Sequence, residues 1–141
     1  MELKIKKLNP DAIIPRYALP GDAGMDLFSV EDVTIEPGQR HAVATGLAIE
    51  LPAGFVSLIW DKSGVALKKG LTKMAGVIEH TYRGEYKILL LNTSEEVVEI
   101  KKGDKIAQLL IQPIVTAQIL EVEDLSETDR GVGGFGSTGD K

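Results

Sequence analysis

The chain has no cysteine, which excludes disulfide bonds and thiolate metal sites. It has no uninterrupted apolar run near the roughly 18 residues that a membrane helix needs. Its N-terminus, Met1–Leu8, alternates lysine with apolar residues as a strand does, unlike a signal peptide. An excess of positive charge is also missing, since the formal net charge is −5. We therefore expect a cytoplasmic protein that binds neither nucleic acid nor a membrane.

Helical periodicity is scarce, and apolar residues recur instead with the period of two that is typical of β-strands. Turns such as Pro20-Gly21-Asp22 separate these stretches at short intervals. The pattern predicts an all-β sandwich or barrel, with at most a short helical segment at Ser63–Lys69. The predicted strands are Met1–Lys6, Val33–Ile35, His41–Thr45, Phe55–Trp60, Ile88–Leu91, Val97–Ile100 and Ile106–Val115.

The 141 residues form one domain by length, and 43% of them are hydrophobic, which is enough for one core. The last stretch differs, because residues 129–141 hold five glycines and almost no aliphatic side chain. Such a segment cannot form a core strand, so it is either a disordered tail or a segment that a ligand orders. We divide the chain into a folded domain, 1–128, and a Gly-rich tail, 129–141.

The tail contains groups that are suited to phosphate and to an aromatic base. Residues 131–138 resemble a P-loop, but Ser137 stands where lysine is required and no helical segment follows Thr138. The tail is therefore not a P-loop. The Ser137 and Thr138 hydroxyls, the Arg130 guanidinium, the Phe135 ring and flexible backbone N–H groups remain as candidate ligand contacts.

Three more segments place polar or small residues beside a predicted strand or turn. Lysine, hydroxyl and glycine at the end of a strand can bind a phosphate, and an amide in an apolar strand needs a hydrogen-bond partner if it is buried. Each segment alone is more typical of a surface turn or a capping residue than of a binding site. The segments are Ala23-Gly-Met-Asp26-Leu27, Lys62-Ser63-Gly64 and Gly103-Asp-Lys-Ile-Ala-Gln108.

The segment Ala75–Gly84 is predicted to form a hairpin with its tip near Glu79. From such a tip a carboxylate and a phenol three residues apart, Glu79 and Tyr82, can face one cavity. His80 is adjacent to Glu79, but neighbouring strand residues point to opposite faces, so we do not pair them as a catalytic dyad. Alone, the segment is more typical of an ordinary hairpin with one solvated acid.

Taken together and in order, the five segments resemble the five signature motifs of the trimeric dUTP pyrophosphatase (dUTPase) family, over nearly the whole chain. The resemblance implies an all-β, jelly-roll-like (β-clip) subunit in a homotrimer. It implies active sites built from all three chains, with the C-terminal tail covering a neighbouring site. It also implies Mg²⁺-dependent hydrolysis of dUTP to dUMP and pyrophosphate. The matching segments are Ala23–Leu27, Lys62–Gly64, Gly76–Gly84, Gly103–Gln108 and Arg130–Gly139.

The resemblance also implies a role for each matching residue. Glu79 stands at the position of the general base, and Gln108 contacts the phosphate region or the attacking water; these two are the catalytic candidates. Mg²⁺ is held mainly by the triphosphate, and Asp26 contacts it through water. The substrate-binding candidates are Lys62, Ser63, Gly64, Gly76, Val77, Ile78, Tyr82, Lys87, Arg130, Phe135, Gly136, Ser137 and Thr138.

Two positions depart from the family pattern. The family has Asp where this chain has Glu79, and usually Arg where it has Lys62, so both charges are kept while their geometry changes. The site is either readjusted and active, or it binds the nucleotide and turns it over slowly. The alternatives are a dUTP-binding regulator, a dCTP deaminase-type relative of the same fold, and a β-sandwich interaction subunit without a small ligand. The intact tail favours the enzyme.

Overall fold

The computed structural model describes residues 1–135 and 137. Within these residues the chain forms twelve strands and one short helix, so the fold is all-β as the sequence predicts. The helix is α1 (Ser63–Lys69). The strands are β1 (Lys4–Lys7), β2 (Arg16–Tyr17), β3 (Gly24–Phe28), β4 (Val33–Ile35), β5 (Arg40–Ala44), β6 (Leu47–Glu50), β7 (Phe55–Trp60), β8 (Leu71–Lys73), β9 (Val77–Glu79), β10 (Lys87–Asn92), β11 (Val98–Ile100) and β12 (Lys105–Pro113).

In the described part of the chain the strands form four antiparallel sheets. The largest has the order β2-β3-β12-β7-β9, a second has the order β5-β10-β8, and two pairs are β1-β6 and β11-β4. Strand β12 is central, because it pairs with β3 through Gln108 and Asp26 and with β7 through Gln108 and Trp60. Asp26, Gln108 and Trp60 therefore lie side by side across three strands.

The core lies between the sheets and is built from alternate residues of their strands. In β10 every second residue is buried, and the last of these is Asn92. The Asn92 amide is fully used: Nδ2 donates to the carbonyls of Ile35 and Glu96, and Oδ1 accepts from Ser94. This amide fixes the turn after β10 without leaving a buried polar group unpaired.

The strands predicted at Val33–Ile35 and Phe55–Trp60 and the helical segment Ser63–Lys69 are confirmed with the same bounds. The sequence pattern misses β3 and β6, because nearly all of their residues are buried and so do not alternate in polarity. The predicted last strand is too long, since β12 ends at Pro113.

The predicted hairpin in Ala75–Gly84 is wrong in its pairing. Its first arm, β9, pairs with β7 at the edge of the large sheet, whereas the chain beyond the turn enters β10 in a different sheet. The turn itself is where the sequence predicts it, because the Tyr82 N–H donates to the Glu79 carbonyl at 3.0 Å. The second edge of β9 therefore has no strand partner among the described residues.

After β12 no further strand or helix follows within the described residues. Residues 114–128 are exposed, and their apolar members include Val115, Ile119 and Leu125. Among the helices of the described part, none has the length and hydropathy to cross a membrane. The predicted substrate-binding residues Gly136 and Thr138 lie outside the described residues.

Candidate active site

A groove of about 590 Å³ opens beside the edge strand β9. Its walls come from both sides of the turn that follows β9. Four of its five lining residues are predicted substrate-binding residues, and Glu85 is the exception. The lining residues are Val77, Ile78, Tyr82, Glu85 and Lys87.

The wall formed by Glu85–Lys87 is fixed by the turn between β5 and β6. Tyr86 is fully buried; its N–H donates to the Leu47 carbonyl and its carbonyl accepts from Thr45 Oγ1 at 2.6 Å. Burial raises the pKa of the Tyr86 phenol, whose oxygen lies 3.0 Å from Ser57 Oγ. The groove wall is therefore set by the core before any ligand binds.

The Tyr82 ring is held in one orientation at the groove. Its hydroxyl donates to the Glu85 carbonyl at 3.1 Å, and its centroid lies 6.2 Å from that of the Tyr86 ring. Gly84 leaves space for the ring, because a Cβ at this position would lie 2.3 Å from the Tyr82 hydroxyl. With its hydroxyl engaged, Tyr82 offers the face of its ring to a ligand.

Glu79 ends β9 and is exposed. Strand residues two apart project to the same face, so Glu79 lies on the side of β9 that carries Val77, a residue of the groove wall. On the neighbouring strand β7 it lies opposite Val56. The carboxylate is therefore accessible to a water molecule next to the groove.

A second cluster of predicted residues lies near the end of β7. The Lys62 ammonium pairs with one oxygen of Asp26, and Lys105 Nζ lies 2.7 Å from the other. The Asp26 side chain is only 4% exposed. Burial raises the pKa of Asp26, but the hydrogen bonds from Lys105 and Lys62 outweigh it, so the pKa is lowered. Asp26 therefore stays ionised at neutral pH and holds two ammonium groups side by side.

Gln108 belongs to this second cluster. Its Nε2 donates to the Asp61 carbonyl at 2.8 Å. Its Oε1 lies over Gly24, where a Cβ would be only 2.3 Å away. The hydrogen bond to the Asp61 carbonyl therefore fixes the orientation of the Gln108 amide. Glycine at position 24 leaves the space that Oε1 occupies.

Ser63 and Gly64 begin α1 and are exposed. A Cβ at Gly64 would meet nothing within 4 Å, in contrast to Gly24 and Gly84. Packing within this chain therefore does not require a glycine at position 64. Contact of Gly64 with a phosphate stays a prediction.

The structure does not bring Glu79 and Gln108 together within one chain. Glu79 lies opposite Val56 of β7, and Gln108 lies opposite Trp60, four residues further along the same strand. At about 3.3 Å per residue and about 4.8 Å between strands, the two Cα atoms are about 16 Å apart. A carboxylate and an amide at that distance cannot contact the same reacting atom within one chain.

The predicted tail residues make local contacts in the described part of the chain. The Arg130 carbonyl accepts from the Gly133 N–H, and the Ser137 N–H donates to the Gly134 carbonyl. The Phe135 side chain is fully exposed. Contacts of Arg130, Phe135 and Ser137 with a ligand stay a prediction.

No group of three or more His, Asp and Glu side chains suited to a metal ion occurs within residues 1–135 and 137. Asp26 is the predicted metal contact, and both of its oxygens accept from lysines. A carboxylate has further lone pairs and can still accept from metal-bound water. The donor set fits an ion such as Mg²⁺ that phosphates and water mainly bind, and it does not fit an ion held by protein ligands alone.

Sequence reasoning missed four residues around these clusters: Asp61, Arg83, Glu85 and Lys105. Asp61 contacts Gln108 through its main-chain carbonyl, which no side-chain pattern reveals. Lys105 lies inside the Gly103–Gln108 segment, so its place in that motif was a usable signal. Glu85 follows the third motif directly, but a charged residue there is ordinary at a protein surface.

Comparison with known proteins gives one consistent family. The chain matches the dUTPase family over residues 10–139. It is 54% identical to deoxyuridine 5'-triphosphate nucleotidohydrolase of Nautilia profundicola, with 99% of each chain covered. It is 50% identical to the protein of the same name from Hydrogenobaculum sp., with 100% of each chain covered.

Solved structures give the same result. The fold is similar to that of Staphylococcus bacteriophage 80alpha dUTPase with dUPNHPP, with a TM-score of 0.93, 32% identity and 98% of each chain covered. It is also similar to a mutant dUTPase from phage phi11 of S. aureus, described with a structural Mg(II) ion, with a TM-score of 0.85, 29% identity, and 90% of this chain and 100% of that chain covered. Sequence and fold agree over nearly the full length, and the chain belongs to the dUTPase family.

Proposed function

We propose that this chain hydrolyses dUTP to dUMP and pyrophosphate by attack of water at the α-phosphorus. The observation that carries the proposal is the groove beside β9, which is lined by four of the residues expected to hold dUTP. The relatives at 54% and 50% identity are nucleotidohydrolases of deoxyuridine triphosphate by name, which makes the chain an enzyme of nucleotide metabolism.

The free edge of β9 is suited to bind the base through main-chain groups. Within the described sheet β9 pairs with β7 alone, so alternate N–H and C=O groups between Gly76 and Glu79 face away from the sheet. Uracil would complete these hydrogen bonds, whereas the exocyclic amine of cytosine would find no partner. A site built on hydrogen bonds rejects a mismatched base strongly, because its own groups are left unpaired.

The deoxyribose would pack against Tyr82. The ring orientation is fixed by the hydrogen bond to Glu85 and by contact with Gly84, so the ring face forms one side of the sugar site. A sugar packed against this ring would have no space for a 2′-hydroxyl. Lys87 supplies a positive charge at the opposite wall of the groove.

Glu79 would act as the general base that takes a proton from the attacking water. Its carboxylate is exposed at the end of β9, next to the groove. The extra methylene relative to the aspartate of the family moves the carboxylate by about 1 Å, and such a shift can cost about 100-fold in rate. We expect an active enzyme whose rate the Glu79→Asp variant equals or exceeds.

The phosphates would be bound by a neighbouring subunit. Lys62, Ser63 and Gly64 would hold them, and Gln108 would contact the phosphate region or the water. The separation of about 16 Å between Glu79 and Gln108 in one chain supports two contributing subunits. Lys62 and Arg130 would neutralise charge on the phosphates in the transition state.

The assembly would be a homotrimer of jelly-roll-like (β-clip) subunits. The outer face of the large sheet supports this, since Trp60 is 52% exposed and Val77 is 67% exposed on it. The exposed apolar residues of the segment 114–128 support it as well. Apolar surface of this kind is typical of subunit contacts.

The tail, residues 129–141, would close over the active site of a neighbour as a unit separate from the domain 1–128. Phe135 would stack on the base, and Arg130, Ser137 and Thr138 would contact the terminal phosphates. Gly136 would also belong to the substrate-binding residues. Closure would exclude bulk water from the reaction. The cytoplasmic location expected from the sequence stays a prediction.

Mg²⁺ would be bound mainly by the triphosphate, with Asp26 accepting hydrogen bonds from the water around the ion. When bound, the ion would supply positive charge to the phosphate oxygens. Asp26 has a second role that the structure supports directly, because it holds the Lys62 and Lys105 ammonium groups next to each other.

Pyrophosphate release from dUTP with Mg²⁺ tests the proposal when it is measured for the wild type, Glu79→Gln and Glu79→Asp. We expect Glu79→Gln to lose about 100-fold or more of the rate, the usual contribution of a general base. Equal rates for the wild type and Glu79→Gln would eliminate the assigned base. Tight binding of dUTP without turnover would favour the regulator instead, and ammonia release from dCTP would favour the deaminase-type relative.

A further inference from the structure

Arg83 lies in the turn between Glu79 and the groove wall, and the proposed chemistry gives it no part. Its Nη1 donates to the His80 carbonyl at 2.6 Å and to the Tyr82 carbonyl at 3.0 Å. One guanidinium nitrogen therefore bridges two main-chain carbonyls of the turn that separates the proposed base from the tyrosine of the sugar site.

Among the described residues, the Tyr82 side chain also holds this turn, because its hydroxyl donates to the Glu85 carbonyl and its ring lies near that of Tyr86. One main-chain hydrogen bond crosses it, from the Tyr82 N–H to the Glu79 carbonyl at 3.0 Å. Residues 81–83 are exposed, so packing contributes little to their position. A turn with few buried contacts and few hydrogen bonds opens easily, whereas hydrogen bonds from a charged donor are stronger than neutral ones. The two bonds from Arg83 are therefore the charge-assisted contacts of a turn whose other described hydrogen bonds are neutral.

Among the described residues Arg83 has one other contact, an ion pair with Glu50. This ion pair should contribute less to the structure than the two hydrogen bonds to the turn. Arg83 Nε lies 3.8 Å from Glu50 Oε2, and the two side chains are 54% and 45% exposed. Exposed ion pairs of this length contribute little to stability. We therefore attribute the main effect of the Arg83 side chain to its two hydrogen bonds with the main chain of the turn.

We infer that Arg83 is a positioning residue that keeps the Glu79 carboxylate and the Tyr82 ring in a fixed relation to each other. The inference rests on the proposed function for its catalytic consequence. Arg83 acts through the main chain and contacts neither the nucleotide nor the attacking water. A misplacement of about 1 Å at the base can cost about 100-fold in rate, so a loosened turn should act mainly on kcat.

Steady-state kinetics with dUTP tests this inference on matched variants. We expect Arg83→Ala to lower kcat about tenfold or more while KM rises less than about threefold. Arg83→Lys keeps a cationic donor and should recover most of the lost kcat. Glu50→Gln tests the ion pair, and Arg40→Ala tests another exposed arginine at the start of β5; both should stay within about twofold of the wild type. Arg83→Gln replaces Arg83→Ala if the alanine variant does not fold.

Amide hydrogen exchange provides a readout that does not need turnover. The Tyr82 amide should exchange faster in Arg83→Ala than in the wild type and in Arg40→Ala. Unchanged exchange, unchanged kcat in Arg83→Ala, or an equal loss of kcat in Glu50→Gln would each overturn the inference. A wild type that does not hydrolyse dUTP would contradict the proposed function alone, because the exchange measurement still decides the role of Arg83.

Discussion

The groove beside β9 and the C-terminal segment are held in opposite ways. The groove wall is tied to the core through the buried Tyr86 and its hydrogen bonds to Leu47 and Thr45. The segment after β12 has a main-chain bond to the body at Ile114, and beyond it apolar side chains such as Ile119 are 95% exposed. The difference shows that the core of the chain positions the groove wall, whereas residues 114–128 are exposed.

Removing residues 129–141 should show most clearly how the tail and the groove differ, because it should lower activity without lowering stability. We expect dUTP turnover to fall about 100-fold or more, because the phosphates lose their cover and bulk water enters. The melting temperature should stay unchanged, because none of the described residues of the tail is buried. Pyrophosphate release and thermal unfolding measure the two effects. Removal of Asp140 and Lys141 alone is the control, and a truncated protein with full activity would contradict the assignment of the tail.

Gly76→Ala should have the opposite effect to removal of the tail, because a change in the groove should lower the stability of the fold. Gly76 has a φ of 127°, and a Cβ there would lie 2.9 Å from the Ile59 carbonyl oxygen. We expect the free energy of unfolding to fall by about 1–3 kcal/mol. Gly54→Ala is the matched control, because Gly54 also has a positive φ but its Cβ would meet nothing within 4 Å. Urea denaturation should place Gly54→Ala between the wild type and Gly76→Ala, and equal stability of the two variants would refute the clash.

Gly64→Ala should affect binding and not folding. The added methyl group would meet no atom of the described residues within 4 Å, and alanine is favoured over glycine within a helix by up to about 1 kcal/mol. The melting temperature should therefore stay the same or rise slightly. KM for dUTP should rise about fivefold, as expected from the weakening of one phosphate hydrogen bond by about 1 kcal/mol. An unchanged KM would mean that neither a ligand nor a neighbouring chain approaches this position.

The smallest expected effect is on the stability of the fold at acidic pH. The hydrogen bond from the Lys101 N–H lowers the pKa of Asp104 below 3.8, burial opposes this, and Lys69 adds to the lowering. Because the folded pKa lies below the unfolded one, the stabilisation is present above the unfolded pKa and is lost as the pH falls through the folded pKa. Asp104→Asn should therefore flatten the fall of the melting temperature below about pH 4. Asp124→Asn, in the exposed segment 114–128, is the control, and identical profiles for both variants would contradict the assignment.

The residues of the groove could be predicted from the sequence to a large extent, but their arrangement could not. The resemblance assigns Val77, Ile78, Tyr82 and Lys87 to substrate binding, and the structure places them around one groove. The pairing of β9 with β7 was not predictable, because it depends on residues distant in the sequence. The sequence pattern does not reveal strand β3, because its residues are buried on both faces. The pairing of Asp26, a residue of β3, with two lysines is therefore not predicted either.

The distance between Glu79 and Gln108 also could not be read from the sequence. Motif order along the chain says nothing about which motifs meet in one subunit. Only the register of β9 and β12 on β7 shows that these two side chains are separated. This register is the observation from which we propose that more than one chain contributes to each site.

Mixed trimers test this central claim most directly. Glu79→Gln with an intact tail and the truncated chain 1–128 with an intact Glu79 should each be inactive alone. When they are produced together and purified through two different tags, every mixed trimer has one groove that carries Glu79 and receives an intact tail from its neighbour, so about one third of wild-type activity should return. If the mixed trimers stay as inactive as the parent proteins, the tail does not act on a neighbouring groove, and the account of a shared active site is wrong.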